Sequence, residues 1–106
     1  MPQPLLVITT LPDLESAERL AAELVEAGLA ACVNIGAEVT SVYRWEDRIN
    51  ADREVVLIAK TTEGRVAALT EAVCRLHSYD CPCVVSLPAT GGNPAFLEWV
   101  AAETAG

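Results

Sequence analysis

At 106 residues, 52% hydrophobic and 21% charged, the chain is long enough for one globular domain and too apolar for a disordered segment. Its 15 acidic side chains against 7 basic ones leave a net charge of −8, which argues against a nucleic-acid partner, since a phosphate backbone calls for clustered Lys and Arg. No run approaches the roughly 18 apolar residues of a membrane span, and residues 1–4 lack the basic start of a secretory leader. The expectation is a cytoplasmic protein, without membrane attachment, whose four cysteines (Cys32, Cys74, Cys81 and Cys83) are free thiols.

Residues 5–10, Leu-Leu-Val-Ile-Thr-Thr, are apolar without alternation, as in a central strand covered on both faces. Pro12 ends the run, and Asp13 caps a helix with Leu14, Ala17, Leu20, Ala21, Leu24 and Val25 on one stripe. Gly28 is its expected left-handed closing residue. A hairpin follows. In its first arm the odd positions from Val33 to Trp45 are mostly apolar, a period of two. Gly36 is a candidate bulge, which would exchange the faces beyond it. Residues 46–52 read as the turn and residues 54–62 as the returning arm, apolar on both faces. Thr62 is the expected cap of a second helix with Val66, Leu69, Val73 and Leu76 inward; Pro82 cannot belong to it, so it ends before the loop at residues 77–80. Residues 83–87 make a fourth strand closed by Pro88, and Asn93-Pro94 starts a short last helix.

The order β-α-β-β-α-β plus a helix predicts an α+β, ferredoxin-like fold: a four-stranded antiparallel sheet, a long hairpin between the second and third strands, and an extra C-terminal helix. The helices protect one sheet face, yet three strands are apolar on both, so the open face calls for a second cover. One hairpin arm of roughly 13 residues spans roughly 43 Å, too long for a compact domain with a radius of gyration of about 13 Å. The hairpin is therefore expected to project, carrying Val42, Tyr43 and Trp45 into an interface with further copies of the chain.

Residues 30–35 (Ala-Ala-Cys-Val-Asn-Ile), 41–45 (Ser-Val-Tyr-Arg-Trp), Glu54 with 57–62, 77–82 (His-Ser-Tyr-Asp-Cys-Pro), and Leu87-Pro88 through Gly92-Asn93 to Leu97-Glu98-Trp99 resemble the CutA family of divalent-cation tolerance proteins. The resemblance extends along nearly all of the chain, read as one domain at residues 1–106. It implies a tight homotrimer, a cytoplasmic setting, and a response to metal ions, chiefly copper tolerance. The copper ligands it implies are a cysteine near the end of the first strand and two adjacent histidines. Thr9 and Leu76 stand at two of those three positions here, leaving His77. The family's usual His-Pro-Tyr-Glu is His77-Ser78-Tyr79-Asp80, and the usual glycine after the hairpin tryptophan is Asp47.

His77, the one histidine, with Cys81 and Cys83, makes the candidate metal set for copper or another divalent metal, since thiolates suit copper(I) and zinc and imidazole suits both. The competing reading has the cysteines, Cys32 included, as core packing, because residues two apart in a strand share a face. The resemblance also places Tyr43, Trp45, Glu54, Lys60, His77, Tyr79 and Trp99 along a cleft between protomers. There Lys60 would favour a small anion, or form a structural ion pair. No nucleophile elbow, phosphate loop, dinucleotide fingerprint or zinc-protease helix is present, so an enzyme is not expected. The leading expectation is a trimeric, metal-binding tolerance protein. The alternative is a trimeric signalling or scaffold protein that holds a small ligand in the cleft, with metal tolerance an indirect effect.

Overall fold

Strand β1 (Pro4–Leu11) lies inside a four-stranded sheet of order β2-β3-β1-β4, with β2 at Cys32–Trp45, β3 at Arg48–Thr62 and β4 at Val84–Pro88. The computed structural model describes residues 2–106. Neighbouring strands are antiparallel throughout. With helices α1 (Leu14–Glu26), α2 (Val66–Leu76) and α3 (Pro94–Glu103), this is the expected ferredoxin-like arrangement. The caps work as read: Asp13 accepts from the Ser16 amide at 2.8 Å, Asn93 accepts from the Ala95 amide at 3.1 Å, and Gly28 has φ 71°.

Period two sorts the strands. Val7, Leu11, Val55, Leu57 and Ala59 meet Ala17, Leu20 and Leu24 of α1 and Leu69, Ala72 and Val73 of α2 in one buried core. The opposite face carries Leu6, Ile8, Val56, Ile58, Val85 and Leu87, in register across three strands. Neither α1 nor α2 packs on it; Leu6, Ile8, Val56 and Ile58 are half-buried, and Val85 and Leu87 are exposed.

Three sequence expectations are corrected. The turn is not seven residues long. Glu46 (φ 51°) and Asp47 (φ 64°) both turn left-handed, and β3 already begins at Arg48, so the hairpin closes on a two-residue turn whose twist matches its strands. Thr62 does not cap α2. A short 3-10 turn, Glu63–Arg65, intervenes, and the Thr62 hydroxyl pairs with that of Thr104 at 2.9 Å, which ties β3 to the end of α3. The last strand starts at Val84 rather than Cys83.

The bulge falls where Gly36 suggested. Ile35 pairs with Leu57 and Glu38 with Val55, so Gly36 and Ala37 together face Val56. A side chain at Gly36 would stand 3.3 Å from the Val56 carbonyl oxygen. Before the bulge, odd residues of β2 face the helices. After it, Val39, Ser41, Tyr43 and Trp45 pair with Glu54, Asp52, Asn50 and Arg48 on the open face. The hairpin projects as expected: the molecule measures 44 × 25 × 23 Å.

Candidate functional site at the hairpin and loop cleft

The bulge puts Tyr43 and Trp45 on the same side as Glu54, and the loop after α2 folds over that side. Between them lies an open cleft of about 790 Å³. It is lined by Ser41, Asp52 and Glu54 of the hairpin, by Thr10 and Pro12, and by Tyr79, Asp80, Cys81 and Cys83 of the segment after α2.

His77 anchors the loop. Its Nδ1 accepts from the Tyr79 amide at 3.1 Å, so Nε2 carries the proton and donates to the Thr10 carbonyl oxygen at 2.7 Å. The imidazole lies against the Tyr79 ring, centroids 4.5 Å apart. Both nitrogens are used, leaving no lone pair for a metal. Tyr79 then donates its hydroxyl proton to Glu54 at 3.0 Å. Burial, followed by that bond and the charges of Glu54 and Asp52, pushes the Tyr79 phenol up to about 12. Tyr43 donates to Asp52 in the same way, which raises its phenol too.

Of the residues singled out from sequence, Tyr43, Trp45, Glu54 and Tyr79 converge on the cleft, and His77 stands behind Tyr79. Lys60 does not join them. It faces Leu6 and Cys32 in register, six positions along β3 from Glu54, about 20 Å away. Trp99 lies on α3 against Phe96, ring centroids 5.7 Å apart. Within one protomer the cleft carries Asp52, Glu54 and Asp80, and Arg53, which also lines it, is held by Glu38 at 2.6 Å. The packing reading of Cys81 and Cys83 is also corrected, since both are exposed on the cleft. Cys32 is half-buried in β2.

As a metal centre, the set His77, Cys81 and Cys83 does not fit. The imidazole has no free nitrogen, and among the described residues no three His, Cys, Asp or Glu side chains gather to hold an ion. Two thiols remain. Asp52 and Asp80 were missed in the sequence. A two-residue turn at Glu46 and Asp47 would have put Asp52 opposite Ser41 and beside Tyr43; no comparable signal marked Asp80.

The family described as CutA1 divalent ion tolerance protein matches residues 5–103. A chloroplastic CutA 1 protein of Oryza sativa is 45% identical over 94% of this chain, which spans 56% of that protein's length. The divalent-cation tolerance protein CutA of Thermus thermophilus is 43% identical over 92% of this chain and 95% of its own. Among solved structures, CutA1 from Oryza sativa superposes with a TM-score of 0.94 at 44% identity, covering 97% of this chain and 94% of that one. The periplasmic divalent cation tolerance protein CutA of Archaeoglobus fulgidus gives 0.92 at 38% identity, covering 95% and 98%.

These relatives overturn the cytoplasmic assignment. Two plant relatives are chloroplastic and the archaeal one is named periplasmic. A domain's composition and thiols record its packing, and a targeting segment outside the matched region leaves no trace in them.

Proposed function

Since the chain belongs to the CutA1 divalent ion tolerance family, we propose that it acts in divalent-cation tolerance as a homotrimer that takes up a thiophilic metal, copper or zinc, through Cys81 and Cys83. The observation that carries this reading is the exposure of both thiols on one cleft. Soft thiolates select copper(I) and zinc over calcium and magnesium, and copper(I) accepts as few as two sulfur ligands. Binding removes a proton from each thiol, so uptake strengthens as pH rises. His77 serves as the loop's anchor and not as a ligand.

What supports the trimer is the open sheet face. Leu6, Ile8, Val56, Ile58, Val85 and Leu87 form an apolar surface on the side of the sheet opposite α1 and α2, and Val85 and Leu87 on it are exposed. Packed against other copies it would be removed from water, as the projecting hairpin would. The role is binding rather than catalysis: the sequence carries no recognised nucleophile or acid–base constellation.

Competition with a chelator of known copper(I) affinity tests the metal reading. Cys81→Ser combined with Cys83→Ser should abolish uptake; retention of full uptake by the double variant would refute it. Sedimentation should give the mass of three protomers, and a single-protomer mass would remove the oligomer from the proposal.

A further inference from the structure

We draw no further inference here: the strongest candidate, the thiol pair Cys81 and Cys83 in the segment between α2 and β4, belongs to the site already described, and a redox role for it would need both sulfurs accessible on a side of the sheet where nothing in the structure shows what covers them.

Discussion

Tyr79 donates its phenolic proton to Glu54 at 3.0 Å, and this one bond joins the loop after α2 to the middle of β3. Each side needs the other. Glu54 is nearly inaccessible to water, and Tyr79 holds the loop over the open face of the sheet. Tyr79→Phe removes the donor and keeps the ring. The expected cost is about 1–2 kcal/mol, because the carboxylate keeps its burial and loses its partner. For a domain of this size that lowers the melting temperature by roughly 4–8 °C per kcal/mol. An unchanged melting temperature would show that water replaces the phenol without penalty.

The same pair sets the alkaline behaviour. In an unfolded chain both phenols lose their protons near pH ~10. In the folded protein Tyr79 keeps its proton to about 12, and Tyr43 is also raised. A folded pKa above the unfolded one means that the stabilisation is complete below pH ~10 and is lost as pH rises through about 12. Stability should therefore fall across that window. Tyrosinate absorbance reports it directly: the chain has two tyrosines, and Tyr79→Phe should delete the later of two transitions. Both phenols titrating at the ordinary value would contradict the hydrogen bonds that define the cleft.

The architecture was legible because period two and period 3.6 alternate cleanly along the chain, and because Asp13, Gly28 and Asn93 mark helix ends by their own chemistry. The site was only half legible. Gly36 announced a bulge, but whether Tyr43 and Trp45 face the helices or the open side depends on the pairing of Ile35 with Leu57 and Glu38 with Val55, which no single strand encodes. The turn was misplaced because Glu46 and Asp47, without glycine, give a weak signal for two consecutive left-handed residues. The resemblance placed Lys60 with Glu54 in a cleft between protomers; within one protomer six positions along a strand separate them by about 20 Å, so that grouping needs a neighbouring copy, which one chain's pattern does not place.

His77 tests whether the loop anchor has been assigned correctly. Replacing it with Ala removes the donor to the Thr10 carbonyl and the acceptor for the Tyr79 amide. The expected loss is about 1–2 kcal/mol from two hydrogen bonds in a half-buried setting, read as a lower melting temperature. Copper(I) uptake by Cys81 and Cys83 should persist. An uptake that collapses with stability unchanged would make the imidazole a ligand after all.

Thr9 offers the opposite case, a buried group with nothing to do. It is 1% exposed, sits between Leu57 and Val84 in register, and its hydroxyl has no hydrogen-bond partner. Stripping water from a hydroxyl without replacing the lost bond costs about 1–3 kcal/mol. Valine has nearly the same shape and favours the strand conformation equally. Thr9→Val should therefore raise stability by about 1 kcal/mol, measured by urea unfolding with an unchanged denaturant slope. The side chain faces the helices, on the opposite side of the sheet from the cleft, so copper(I) uptake should not change. A destabilised variant would mean that the hydroxyl has a partner, and weakened copper uptake would return position 9 to the metal site that the resemblance implied.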